Sequence, residues 1–118
     1  MASNSFSIKE RLKKNKAIKA VLDEGVYFRA GLINVYILKR PDTGYNRAAF
    51  ICKKTLHQKK SVLRNRVRRL LKEAYRKTKQ IIPIGHDIVI VGTRITKNIL
   101  STDIEKETAN VFKKYIKK

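Results

Sequence analysis

The sequence predicts a small α+β sandwich, a single domain with helices packed on a buried sheet, and three observations carry that reading. Amphipathic helical stripes occur at residues 17–22, 63–75 and 104–115. Two runs with strand chemistry lie between the first and second stripes, and one lies between the second and third. Turn residues fall at the junctions. The resulting order is helix, strand, strand, helix, strand, helix, with no internal repeat, and its layers are those of an α+β domain. A chain of 118 residues buries one modest core and has no room for a second, so residues 1–118 form one domain, with 1–10 expected to be flexible.

The first helix is signalled by Ala17, Ile18, Val21 and Leu22, an i, i+3, i+4 stripe that Gly25 closes. Asn15 is its expected N-cap, and Ser7 with Glu10 offers a competing capping box earlier in the chain. From Gly31 to Leu38, GLINVYIL is apolar on both alternating faces, which predicts a strand buried on two sides. Pro41-Asp42-Thr43-Gly44 is turn chemistry, and Arg47–Lys53 is a second strand, expected antiparallel to the first. A long helix follows from about Ser61 to Lys79, with Leu63, Val67, Leu70, Leu71, Ala74 and Tyr75 on its apolar side. Pro83 and Gly85 end that region before the strand Asp87–Val91. The last helix is expected to begin at Thr102, with Glu105 completing a capping box. Ile104, Thr108, Val111, Phe112 and Tyr115 form its packing stripe, and lysines crowd its C-terminal end.

Charge narrows the function. With 29 Lys plus Arg against 9 Asp plus Glu, the net charge is +20. Self-repulsion of that size opposes compaction, and a polyanionic partner is the usual reason to carry it. A hydrophobic content of 42% is too high for a disordered basic tail. The sequence shows no signal-peptide h-region and no apolar stretch long enough to span a bilayer. Cys52 is the single cysteine, which excludes an internal disulfide or a cysteine-based zinc site and fits a reducing cytoplasm; it reads as an inert, half-buried strand residue.

The charge is concentrated. Between Lys53 and Lys79 there are twelve Lys or Arg and one acid, Glu73. On a helical wheel of about 100° per residue, Arg64, Asn65, Arg68, Arg69, Lys72 and Arg76 share one arc, Arg66 extends it, and the apolar residues lie opposite. One face therefore docks on the sheet while the other presents guanidinium forks, which bind two phosphate oxygens and stack on bases as ammonium groups cannot. No helix-turn-helix spacing, zinc ligands or zipper marks a DNA reader. Irregular RNA, recognised by shape and phosphate contacts, suits this domain better.

At Arg64–Arg76, RNRVRRLLKEAYR, the sequence closely resembles the bacterial ribonuclease P protein subunit. That family's signature is Arg-Asn-basic-aliphatic-basic-Arg, then aliphatics, Lys or Arg, and often an aromatic. Arg11-Leu12, Gly25, Tyr36, Lys53-Lys54 and the strand HDIVIV agree across nearly the whole chain. The resemblance implies an α-β-β-β-α-β-α sandwich of the ribosomal protein S5 domain 2-like class, with a left-handed βαβ crossover. It also implies a further short strand, for which the region near Lys54–Lys60 has room. It implies a subunit of the ribonucleoprotein that removes the 5′ leader of precursor tRNA. There a large RNA with bound Mg2+ is the catalyst, and the protein aids metal binding and substrate recognition without a cofactor of its own. The implied partners are ribonuclease P RNA and precursor tRNA, with no membrane and no small-molecule substrate. Carried over, Arg64, Asn65, Arg66, Arg68, Arg69, Lys72 and Arg76 face the catalytic RNA, and Ile18, Leu22, Tyr36, Phe50, Lys53 and Lys54 line the leader cleft. This sequence departs from the pattern at Ile18 and Leu22, where the family often has Phe. It departs again in the linker Thr55–Ser61, which is longer than usual and lacks the usual Gly.

Three rivals are weaker. A stand-alone nuclease needs clustered carboxylates or a histidine pair, whereas Asp23, Glu24, Asp42, Asp87 and Asp103 stand apart in sequence and Glu10, Glu73, Glu105 and Glu107 read as helix charge partners. Asp87 beside His86 at a strand start could in principle ligate a metal, but His86 and His57 are expected at the surface. A ribosomal RNA-binding protein shares the size and charge but not the signature helix. A membrane-surface role would need a basic helix with a free apolar face.

Overall fold

The computed structural model describes residues 10–41, 44–53, 61–95 and 98–117. In chain order the elements are α1 (Asn15–Glu24), β1 (Val26–Arg29), β2 (Ile33–Lys39), β3 (Arg47–Cys52), α2 (Ser61–Thr78), β4 (His86–Gly92) and α3 (Ser101–Ile116). The fold is mixed α+β, and the order is the seven-element one that the resemblance implies. The strand missing from the direct reading is β1, at Val26–Arg29; residues 54–60, where a further strand had room, lie outside the described residues.

The strands form one sheet in the order β1-β2-β4-β3. β3 runs antiparallel to β2, as expected, but does not adjoin it; β4 lies between them, antiparallel to β2 and parallel to β3. The reason lies in side-chain chemistry. Ile88, Val89 and Ile90 are each fully buried, so β4 needs cover on both faces and a neighbour on both edges, which only a central position supplies. Helix α2 is then the crossover joining the parallel pair β3 and β4.

Successive residues of each strand face opposite layers. On one side Ile33, Val35, Ile37, Ala48, Cys52, Ile88 and Ile90 meet Val67, Leu71, Ala74 and Tyr75 of α2 and Ile104, Val111 and Phe112 of α3. Gly92 lets α2 come this close, because a Cβ there would lie 2.8 Å from Val67 Cγ1. On the other side a smaller cluster, Leu12, Val21, Ala49 and Val89, is covered by α1, with Ile18 and Tyr36 packed at its margin. Cys52 is buried rather than half-buried, since it faces the larger core.

Two helix starts also differ from expectation. Asn15 is the first residue of α1, and Lys14 precedes it as the cap position. α3 begins at Ser101, where the Leu100 N–H donates to Asp103 Oδ2 at 3.1 Å. Thr102 is thus inside the helix, and Glu105 faces Lys77 Nζ at 4.0 Å instead of closing a box. At the other end of α1, Gly25 is required for space rather than for its backbone angles. Its N–H donates to the Val21 carbonyl at 2.8 Å, and a Cβ would lie 2.5 Å from that oxygen and 3.1 Å from Ile37 O.

Candidate nucleic-acid interface

Helix α2 divides as the periodicity predicts, with changes at the rim. Val67, Leu71, Ala74 and Tyr75 are buried, and Asn65, Arg68 and Arg69 are exposed. Arg68 Nη1 donates to Asn65 Oδ1 at 3.0 Å, so the asparagine one turn back holds that guanidinium in place. Arg64 is half-buried, correcting its expected exposure. It shares its angular position to within about 20° with Leu71 and Tyr75, which pulls it to the helix boundary. Its Nε is out of water and has no hydrogen-bond acceptor among the described residues. An orphaned N–H of this kind costs about 1–3 kcal/mol, and a phosphate oxygen would supply the missing acceptor.

Two other cations are already engaged. Arg66 Nη2 donates to the Ile99 carbonyl at 3.2 Å, tying α2 to the segment before α3. Arg76 pairs with Glu73, its Nε donating to Oε2 at 3.0 Å. That hydrogen bond, with the Arg76 charge, holds the Glu73 carboxyl below its ordinary value. The exposed part of this face is Asn65, Arg68 and Arg69, with Arg64 and Lys72 half-buried beside them. Behind it, burial pushes the Cys52 thiol up, although Arg68 and Arg64 pull the other way.

Beside this face runs an open groove of about 450 Å³, passing over the outer edge of β3. One wall carries Arg11, Lys13 and Ile18, and the other Arg68, Arg69 and Lys72, with Phe50 in the floor. The segment before α1 shapes it, since the Leu12 N–H donates to the Ala48 carbonyl at 2.9 Å and caps the start of the strand edge. Arg11 and Lys13 were missed as site residues; their signal is a basic pair flanking the apolar Leu12.

The residues assigned to the leader cleft are not all brought together. Ile18 and Phe50 line this groove, although the Phe50 ring belongs to the α2 side of the sheet, 5.7 Å from Tyr75. Tyr36 is on the α1 side, half-buried, with its hydroxyl pKa raised by burial and by Tyr27. Leu22 is 37% exposed near the end of α1 and does not join the packed cluster, whereas Ile18 packs at its margin. Lys53 is exposed just past β3, and Lys54 lies outside the described residues. The sequence reading missed Tyr27, whose signal was the β-branched and aromatic run Val26-Tyr27-Phe28 directly after Gly25.

Several of the acids are committed elsewhere. Asp87 is buried and takes two hydrogen bonds at 2.9 Å from Arg47 and one at 2.7 Å from Arg40. His86, expected at the surface, is buried. Its Nδ1 lies 2.9 Å from the Pro83 carbonyl and its Nε2 3.0 Å from the Tyr115 hydroxyl. Because a carbonyl only accepts, Nδ1 carries a proton and donates it there, and the Tyr115 hydroxyl is the partner of Nε2. Glu107 Oε1 accepts the Leu32 N–H at 2.7 Å, and Glu10 pairs with Lys79 at 2.8 Å. His57 and Asp42 lie outside the described residues.

The family model described as Ribonuclease P matches residues 6–116. The chain is 34% identical over 110 residues to the ribonuclease P protein component of Clostridioides difficile, covering 92% of this chain and 94% of that one. It is 31% identical over 117 residues to that of Petrotoga mobilis, covering 96% and 94%. In fold it is similar to the RNase P proteins of Staphylococcus aureus and Thermotoga maritima, each with a TM-score of 0.75 and 23% identity. Those matches cover 90% of this chain and 94% of the first, and 89% of this chain and 96% of the second. With the match running through both the basic helix and the strands it packs on, the chain belongs to the ribonuclease P protein component family.

Proposed function

We propose that this chain binds ribonuclease P RNA through α2 and holds the 5′ leader of precursor tRNA along the α1 side of the sheet. The RNA then cuts at the mature tRNA 5′ end. Family membership implies a role in tRNA 5′ processing. The observation that carries the finer reading is the face of α2, where Asn65, Arg68 and Arg69 stand exposed beside the orphaned Arg64 Nε in a chain of net charge +20. Such a face neutralises phosphates and fixes register, while base contacts come from elsewhere. The protein contributes binding and orientation, and the RNA with its Mg2+ supplies the chemistry. In support, Asp87, Glu73, Glu10 and Glu107 are each engaged by a guanidinium, an ammonium or a backbone N–H.

The test adds the protein to a bacterial ribonuclease P RNA at low magnesium and measures release of the leader. Stimulation is expected with the RNA present, and no cleavage from protein alone. Cutting by the pure protein would make it a nuclease in its own right. The leader reading is tested separately with Tyr36→Ala, which is expected to weaken binding of precursor tRNA and leave mature tRNA binding unchanged. An equal loss for both would remove Tyr36 from the leader path.

A further inference from the structure

The open edge of the sheet carries an aromatic pair that the leader residues above do not include. Tyr27 of β1 stands directly across from Tyr36 of β2 in the strand register. The two ring centroids are 4.9 Å apart and tilted by 40°. Tyr36 is half-buried beneath the α1 side, whereas Tyr27 is 49% exposed. Phe28, the next residue, points to the other side of the sheet and meets Tyr115 edge-on at 6.3 Å. Tyr27 therefore turns one face to Tyr36 and leaves the rest to solvent on the same side as α1.

Three features make this more than a scattered surface tyrosine. The ring is held by its strand and by Tyr36, so little conformational entropy remains to be lost when a ligand stacks on it. Arg29, two residues along β1 and so on the same face about 7 Å away, is exposed. Asp23 and Glu24 are exposed at the end of α1, which repels a phosphate from that side and leaves Arg29 as its partner. A ring with an adjacent cation is what an unpaired nucleotide requires: a surface for the base and a charge for the phosphate.

We propose that Tyr27 is a second base-stacking residue for single-stranded RNA, extending the Tyr36 platform by one nucleotide toward the sheet edge, with Arg29 on the neighbouring phosphate. This rests on the reading that the α1 side of the sheet receives the 5′ leader. Stacking tolerates any base, so the subsite adds affinity for leader length rather than for leader sequence.

The experiment uses the protein assembled with ribonuclease P RNA and measures affinity for precursor tRNAs of increasing leader length, and for mature tRNA. Tyr27→Ala is expected to lower affinity for long-leader precursor roughly tenfold and to leave mature tRNA unaffected. Tyr27→Phe should retain wild-type affinity, because it keeps the ring. Tyr27→Leu keeps apolar cover over Tyr36 without a flat face; it should behave like Tyr27→Ala, and it decides the matter if the alanine variant does not fold. Wild-type affinity in Tyr27→Leu, or an equal loss for precursor and mature tRNA, overturns the proposal. If wild-type protein itself gives no preference for precursor over mature tRNA, the leader reading has failed instead.

Discussion

The two faces of the sheet are built from the same strands, residue by alternate residue, yet they end in different states. Two helices of 18 and 16 residues close one face, burying Tyr75 and Phe112 completely. A single helix of 10 residues covers the other, with Val21 as its one fully buried side chain. The uncovered part holds Tyr36, Tyr27 and the start of the groove over β3. The difference divides one four-stranded sheet into a closed face and an open one. Stability is concentrated where apolar area is removed from water, and the shorter helix leaves the opposite face accessible to a ligand.

The largest effect expected is on binding. If α2 and its flanks neutralise roughly six to eight phosphates, affinity for RNA should fall by about 10³ or more between 50 and 200 mM salt. A flat salt response measured by filter binding would break the phosphate model and leave the α2 face as mere solvated charge. Next comes the asymmetry between the faces. Phe112→Ala on the closed side should cost about 3–5 kcal/mol, while Leu22→Ala on the open side should cost under about 1 kcal/mol, as read by urea unfolding. Similar losses at both sites would mean that the α1 layer is as much a core as the other.

Replacing Arg68 and Arg69 together with Ala should weaken assembly with ribonuclease P RNA, at up to about 1.5–3 kcal/mol for each charge-assisted contact. The melting temperature should stay unchanged, because both side chains are exposed. A fall in melting temperature would show that the face is structural. The smallest effect concerns Glu73. Its folded carboxyl titrates below the ordinary value of 4.5 because of Arg76. The pair therefore stabilises the fold above that value, and the contribution is lost as pH falls through the lower, folded pKa. As a solvent-screened helix pair it contributes little. Glu73→Gln should remove that acid-side loss and, by releasing Arg76, slightly tighten RNA binding.

The helices and their faces were legible in the sequence because a 3.6-residue stripe is long and redundant: Val67, Leu71, Ala74 and Tyr75 point the same way whatever they pack on. Strand neighbours were not. β3 and β2 are consecutive strands in the reading, and nothing local in Arg47–Cys52 says that β4 will come between them. That information lies in the two-sided apolar run Ile88–Val91, and it becomes a placement only when the whole sheet is considered. β1 was overlooked because four residues are too few to show alternation. Arg64 was misjudged for a different reason, since a wheel ranks positions by angle and Tyr75 lies at nearly the same one. His86 and Asp87 carry the residue types of a surface or a site; their burial depends on Tyr115, Arg40 and Arg47, partners distant in sequence.

The central place of β4 has a consequence for how the molecule is made. The last strand to be synthesised is the one that joins β3 to the β1–β2 hairpin, so until His86–Gly92 emerges β3 has no neighbour in the sheet. A nascent chain ending before residue 86 holds at most α1 and the β1–β2 hairpin, with the apolar side of α2 still uncovered. Folding therefore waits for long-range pairing, which is slow, and it proceeds as one cooperative step rather than from the N-terminus onward. Pulsed hydrogen exchange should find the amides of β3 and β4 gaining protection together, and substantial protection of β3 in a chain truncated at residue 85 would contradict this order. During that interval the half-formed chain carries its full excess of positive charge, +20 once complete, and any polyanion that screens this self-repulsion favours compaction.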